Sequence, residues 1–200
     1  YSYFRIDVFK KPSFWIICTR IILDMILDGK KESALLREEI KKEILEIKIR
    51  TNKSPGLSVI LIGDFAPSQI YVKNKEKNSK EVGITSEVIK YSKEVKESEI
   101  LEKIEELNNN DNVSGILVQL PLPAHISKEK IINTIKPSKD VDGFHPINVG
   151  NLSLGYKSII PCTPLGCLLL IKNVEKNLTG KHAVIIGRSN LNGKPMAQLL

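Results

Sequence analysis

Cysteine, histidine, tryptophan and long apolar runs are scarce in this chain, and each scarcity removes a class of protein. The three cysteines, Cys18, Cys162 and Cys167, form neither a disulfide framework nor a Cys-x-x-Cys pair. Thiols in a reducing compartment account for them, which points to the cytoplasm. The three histidines, His125, His145 and His182, are scattered, and no carboxylate cluster has ligand spacing, so no metal centre is expected. No stretch approaches the ~20 apolar residues of a membrane span. The run Phe14–Cys18 follows Lys10, Lys11 and Pro12 in the manner of a signal peptide. It is short, Arg20 interrupts its continuation, and no small-residue cleavage site follows. A soluble chain without a membrane partner is expected.

What is present describes a globular protein. The chain has 200 residues, 42% hydrophobic and 26% charged, enough for one large domain or two small ones. The net charge is +7, with lysines dispersed along helical stretches among glutamates. Dispersed charge describes solvated helical faces rather than a nucleic-acid footprint. An anionic small molecule suits the same balance.

Residues 1 to about 27 are apolar and aromatic without clear periodicity, and are expected to lie outside the fold. From Lys30 to Arg50, Leu35, Leu36, Ile40, Ile44 and Ile47 recur at helical spacing. Leu57–Ile62 reads as a strand, Pro67–Glu81 as a helix, Ile84–Tyr91 as a strand, and Ser98–Asn108 as an amphipathic helix. Gly115-Ile-Leu-Val-Gln-Leu-Pro-Leu-Pro123 reads as a strand buried on both faces. Pro121 cannot donate to a ladder, so this strand ends near Gln119 or Leu120. A helix follows from Ser127 to about Ile135. This alternation predicts an α/β fold with parallel strands and right-handed crossovers. Val141–Tyr156 reads as loop. Thr163-Pro164 reads as an N-cap with proline in the first helical position, opening a helix to Val174. Ala183–Ile186 reads as a strand, followed by a glycine-bearing turn and a helix from Lys194.

Four segments carry candidate chemistry. Gly187-Arg-Ser-Asn-Leu-Asn-Gly193 between strand and helix suits an anion at a helix N-terminus, or is an ordinary βα turn. It is not the Gly-x-Gly-x-x-Gly dinucleotide fingerprint. Tyr71 and Lys75 lie four apart and share a helical face. That pair suits ring stacking and proton handling, or is part of a lysine-rich surface. In Asp140-Val-Asp-Gly143, an aspartate either bonds nearby backbone in a turn or recognises paired donors on a flat heterocycle. Gln119, at the carboxyl end of a central strand, stands where α/β sheets bind ligands, or caps loop groups. Cys162 has no local partner that would make it a nucleophile.

Together these segments resemble the bifunctional methylenetetrahydrofolate dehydrogenase/cyclohydrolase family. The carrying pieces are Pro67-Ser-Gln-Ile-Tyr-Val-Lys-Asn-Lys75, Gly115–Pro123, Pro137-Ser-Lys-Asp-Val-Asp-Gly-Phe-His-Pro-Ile-Asn-Val-Gly150, Pro161-Cys-Thr-Pro-Leu-Gly166 and Gly187–Pro195. The resemblance covers about Ile26 to Leu200. It implies an N-terminal α/β folate-binding catalytic domain, 28–160. The linking helix and first βα unit of a Rossmann-type NAD(P)-binding domain, 161–200, would follow. It further implies NADP-dependent oxidation of 5,10-methylenetetrahydrofolate and hydrolysis of the methenyl product to 10-formyltetrahydrofolate. That chemistry belongs to one-carbon metabolism and feeds purine biosynthesis. NAD is an open alternative to NADP, and a homodimer is implied.

Carried over by motif, Lys75 would be the catalytic lysine, Tyr71 would stack on the folate, Gln119 would bond the lysine, and Asp142 would bind the pterin donors. Gly187, Arg188, Ser189 and Gly193 would line the cofactor phosphates, with Thr163 nearby. Family members usually carry Val where this chain has Asn192. The chain stops at Leu200 within an expected helix, so a C-terminally truncated family sequence is expected. The rival readings are an inactive fragment retaining only the folate domain, another Rossmann dehydrogenase, and a nucleic-acid binder.

Overall fold

The computed structural model describes residues 27–200; the expected N-terminal extension and Cys18 lie outside the described residues. The described residues form two compact units, one of Leu35–Ile160 and one that includes Pro161–Leu200.

The larger unit is built on a three-stranded parallel sheet, ordered β2-β1-β3. The strands are β1 (Gly56–Ile62), β2 (Thr85–Tyr91) and β3 (Gly115–Val118). β1 is central and is buried on both faces because every residue from Ser58 to Ile62 is apolar or small. Side chains alternate across the pleat. Ile60 and Ile62 therefore join Ile116 and Val118 on one face, against Ile100, Ile104, Leu107 and Ile131. Val59 and Leu61 join Leu117 on the other face, against Val72.

Helices α1 (Gly29–Thr51), α2 (Ala66–Val82), α3 (Glu97–Asn109) and α4 (Lys128–Thr134) surround the sheet. α3 and α4 supply the Ile100 and Ile131 side of the core, and α2 supplies Val72. α1 buries only Ile44 and leaves Leu35, Leu36 and Leu45 exposed. Its Arg37 pairs with Glu81 near the end of α2, at 3.3 Å. Two lysines meet the C-terminal carbonyls of α3. Lys139 Nζ donates to the Leu107 and Asn110 carbonyls at 3.0 and 2.8 Å, and Lys136 Nζ donates to that of Asn108 at 3.2 Å. Cations there complement the negative end of the helix dipole. Ser127 caps α4 by accepting from the Lys130 amide at 3.3 Å, and Glu97 in turn accepts from the Ser127 amide at 2.6 Å.

The structure places a helix where the sequence reads as loop: α5, Pro146–Ser153. Its start is marked by His145, whose Nδ1 accepts from the Ile147 amide at 3.1 Å, and by proline in the first turn. In the second unit, α6 (Cys162–Val174) begins two residues earlier than expected, with Pro161 at the N-cap and Thr163 already inside the first turn. The expected Thr163 cap is thus corrected; Pro161 ends the incoming extended segment and leaves no place for a side-chain cap. Ala183–Ile186 forms no strand. No segment pairs with it among the described residues, and Ile186 is 85% exposed. β-branched residues make a strand only where a ladder partner exists. α7 (Gly193–Leu199) closes the described chain.

Gly115 begins β3 with its Cα against Val141: a Cβ there would collide with Val141 Cγ1. Valine is stiff at χ1 and cannot swing clear. Gly150, inside α5, has open space where a Cβ would stand and no unusual backbone angle. Gly115→Ala is expected to cost about 1–3 kcal/mol by overpacking. Gly150→Ala is expected to gain about 0.5–1 kcal/mol through helix propensity. Urea unfolding followed by far-ultraviolet circular dichroism measures both; equal midpoints for the two variants would contradict the assignment.

Candidate functional site

Four of the residues singled out from sequence lie in the larger unit, and a hydrogen bond joins two of them, Lys75 and Gln119. β3 ends at Val118, but the Gln119 amide still donates to the Ile60 carbonyl at 2.9 Å, so the strand direction holds one residue further. Gln119 then uses both ends of its side chain. Its Oε1 accepts from Lys75 Nζ at 3.1 Å, and its Nε2 donates to the Leu120 carbonyl at 2.8 Å. The Ser68 hydroxyl, buried at the start of α2, donates to the same carbonyl at 3.4 Å. The Leu120–Pro121 peptide is cis.

Tyr71 and Lys75 both stand on α2. Tyr71 is 63% exposed, with its ring open to solvent, while Lys75 is half-buried beside Gln119. An ammonium has three N–H donors, and Gln119 takes one. The arrangement presents a positioned donor, an exposed aromatic face and a neutral amide that holds the lysine without an ion pair.

Asp142 lies beyond β3, half-buried, on the wall of a small pocket whose other walls include Val118, Leu120, Ile131 and Phe144. Burial against these apolar walls raises the pKa of its carboxyl. The Lys75 charge opposes that rise and the Asp140 charge adds to it. Lys128 Nζ stands 5.9 Å from the Phe144 ring centroid at the same pocket. A carboxylate in such a place gains from a ligand that brings paired N–H donors, because those donors replace lost water.

Sequence reasoning missed Asp140 and Asn148. Asp140 is 3% exposed, and its Oδ2 accepts from the His145 amide at 2.8 Å and from Asn148 Nδ2 at 3.0 Å. The two alternatives open for the Asp140–Gly143 turn therefore fall on different residues: Asp140 bonds backbone, and Asp142 faces the pocket. Ser68 was also missed; its place directly after Pro67 in a first helical turn was the only signal.

In the second unit, Gly193 packs so closely on Gly187 that a Cβ would collide with the Gly187 carbonyl. Gly187 has φ 129°, open only to glycine. Ser189 is turned inward upon its own helix. Its Oγ accepts from the Asn192 and Gly193 amides at 3.1 and 3.5 Å, and its carbonyl accepts from Lys194 at 3.0 Å. Asn192 occupies the N-cap position, yet its side chain makes no capping bond. Arg188 is exposed, as is Thr163 on α6. Among the described residues no group of three or more His, Cys, Asp or Glu is placed to hold a metal ion.

Residues 27–142 match the tetrahydrofolate dehydrogenase/cyclohydrolase catalytic domain, and residues 161–200 match the NAD(P)-binding domain of the same family. The bifunctional protein FolD of Pelagibacter ubique is 65% identical over 176 residues, covering 88% of this chain and 63% of that protein. FolD of Rhodospirillum rubrum is 51% identical over 179 residues, covering 88% of this chain and 60% of that protein. The crystal structure of the FolD dehydrogenase/cyclohydrolase from Campylobacter jejuni superposes with a TM-score of 0.85 at 50% identity, covering 88% of this chain and 62% of that one. The Trypanosoma brucei enzyme, complexed with NADP cofactor and inhibitor, gives a TM-score of 0.84 at 31% identity, with 88% and 60% covered. The chain thus spans about three-fifths of the length of the curated relatives it matches.

The raised pKa of Asp142 fixes the sign of a pH effect. Below the ordinary aspartate range the carboxyl is neutral in both folded and unfolded chains. As pH rises, the unfolded chain ionises first while the folded one keeps its proton, so this group's contribution to stability falls with rising pH. Asp142→Asn removes the effect. Its unfolding midpoint should match the parent's in acid and exceed it increasingly as pH rises past the ordinary aspartate value; a constant difference across pH would show that burial of Asp142 does not control its ionisation.

Proposed function

This chain belongs to the tetrahydrofolate dehydrogenase/cyclohydrolase family. From that premise we propose that it binds 5,10-methylene- and 5,10-methenyltetrahydrofolate. We propose that it takes part in NADP-dependent oxidation of the first and hydrolysis of the second to 10-formyltetrahydrofolate. The observation that carries the reading is the 3.1 Å bond from Lys75 to Gln119, set in one unit with exposed Tyr71 and desolvated Asp142.

Each group has a task that its surroundings suit. Tyr71 offers a ring face for the flat pterin. Asp142 accepts from the paired N–H donors of the heterocycle, and the apolar pocket strengthens those bonds by excluding water. The methenyl carbon is cationic and electrophilic, so hydrolysis needs a water placed on it and a proton managed as the new C–O bond forms. Lys75 has donors to spare after bonding Gln119, and one of them meets the developing oxygen. Gln119 is neutral, so it aims the lysine without neutralising it. The oxidation step asks for less, since the substrate nitrogen lone pairs already stabilise the cation formed; positioning is the protein's contribution.

The NADP assignment rests on the second unit. The Gly187–Gly193 apposition fits a close backbone approach to a pyrophosphate, and exposed Arg188 supplies a cation. Gly187, Arg188, Ser189 and Gly193 would hold that group with Thr163 nearby, and the bound nicotinamide would accept the hydride. The amides of residues 192–194 are already engaged by Ser189, so Ser189 acts by shaping the turn. NAD is the alternative acceptor.

The finer reading assigns residues 28–160 to the folate-binding catalytic domain and 161–200 to the linking helix and first part of the NAD(P)-binding domain. It adds a homodimer, a cytoplasmic location and a role upstream of purine biosynthesis, with no nucleic-acid or membrane partner. The supports are Cys162 and Cys167 as thiols, and lysines engaged with glutamates, as in Lys80–Glu76 and Lys130–Glu97. Among the described residues no helix is long and apolar enough to cross a membrane.

The test follows hydrolysis of 5,10-methenyltetrahydrofolate and NADP-dependent appearance of that compound from the methylene form. Lys75→Met is expected to lower hydrolysis about 10²-fold or more while the circular dichroism spectrum stays that of the parent. Near-normal hydrolysis by a folded Lys75→Met chain would remove Lys75 from its assigned role.

A further inference from the structure

Asp142 sits in a four-residue span, Val141–Phe144, that has no regular secondary structure of its own. Both ends of that span are anchored through one residue. The backbone next to Asp140 joins the free edge of β3: the Ile116 amide donates to the Lys139 carbonyl at 2.7 Å, and Ile116 and Asp140 form a parallel bridge. The Asp140 side chain reaches the other way. It accepts from the His145 amide, at the N-cap of α5, and from Asn148 within α5. Asn148 is 5% exposed and its Nδ2 also donates to the Pro137 carbonyl at 2.9 Å, which ties α5 to the chain before the turn. The Gly143 amide closes the turn on the Asp140 carbonyl at 3.2 Å.

We infer that Asp140, with Asn148, is the positioning device for Asp142: a buried carboxylate that clamps the start of α5 to the β3 edge and so holds the 141–144 turn in one conformation. The chemistry favours this. A buried carboxylate with two donors is held far more tightly than a surface pair, and its loss frees the His145 amide and leaves Asn148 tied to the Pro137 carbonyl alone. Side chains that aim a ligand-binding group need such support, because small displacements of the aimed group lose most of its value. Asp140 borders the same pocket, but its Oδ2 is taken by the His145 amide and Asn148, so its part is to act through Asp142. The inference rests on the reading of Asp142 as a folate-binding residue, and its test separates the two.

The experiment uses the full 200-residue chain and its Asp140→Asn, Asp140→Ala, Asn148→Ser and Asp142→Ala variants. Affinity for 5,10-methenyltetrahydrofolate is measured by calorimetry, and amide exchange at residues 141–144 by mass spectrometry. Asp140→Ala is expected to bind about tenfold or more weakly and to exchange about tenfold faster across 141–144. Asp140→Asn retains an oxygen that accepts both hydrogen bonds, so it should stay within about threefold of the parent in both readouts. A folded Asp140→Ala chain with parental affinity and exchange overturns the inference. So does an Asp140→Asn chain that loses affinity while exchanging at the parental rate, since charge rather than position would then be at work. If Asp140→Ala does not fold, Asn148→Ser decides: faster exchange with weaker binding supports the clamp, and parental values overturn it. If the parent and Asp142→Ala bind equally, the folate reading of Asp142 fails, and the exchange rates alone decide whether Asp140 holds the turn.

Discussion

The hydrogen bond from the Gln119 amide to the Ile60 carbonyl is the one on which the site depends. It extends the β1–β3 pairing one residue past the last regular position of β3. β1 is fixed because it is buried on both faces, so whatever pairs with it is fixed too. Gln119 therefore leaves the sheet in a defined direction, and its amide meets Lys75 on one side and the Leu120 carbonyl on the other. A carboxamide is suited to that place because it both accepts and donates. A glutamate would accept from the lysine but repel the carbonyl; an aliphatic side chain would release the lysine and leave the Leu120 carbonyl to Ser68 alone.

The same economy appears in the two aspartates of the following turn. They are two residues apart and chemically identical, yet their surroundings separate them. Asp140 is buried with two donors on its carboxylate. Asp142 is set against apolar walls, its ionised form disfavoured by burial and assisted only by the Lys75 charge. A carboxylate engaged by two donors within the fold is a structural element. A desolvated one is suited to recognition, because a ligand's donors would restore what folding removed.

Most of the α/β layout was legible because each element of the larger unit carries its own period. β1 is a continuous apolar run, α3 repeats at helical spacing, and Pro121 marks where β3 must end. α5 was not legible. It has eight residues, too few to show a period, and its glycine and asparagines read as loop; only the His145-Pro146 start signalled it. Ala183–Ile186 failed in the opposite way, since strand-forming residues do not make a strand without a neighbour. Within the site, the spacing of Tyr71 and Lys75 put them on one face, but nothing local could say that Gln119 lies within hydrogen-bond reach across 44 residues. The resemblance to a family supplied that pairing, and the register of β3 on β1 explains it.

The turn at 187–193 shows how far a motif can be read as chemistry. A serine between two glycines before a helix invites assignment to a bound phosphate. Here its hydroxyl is spent on the Asn192 and Gly193 amides and its carbonyl on Lys194, so Ser189 does the capping that Asn192 does not. This also accounts for the asparagine: position 192 is relieved of a side-chain role at the helix start. What the turn offers outward is a glycine backbone that comes close and the Arg188 cation. That turn offers shape and one charge, whereas the larger unit offers hydrogen bonds arranged in advance, because among the described residues only that unit has a sheet to hold them.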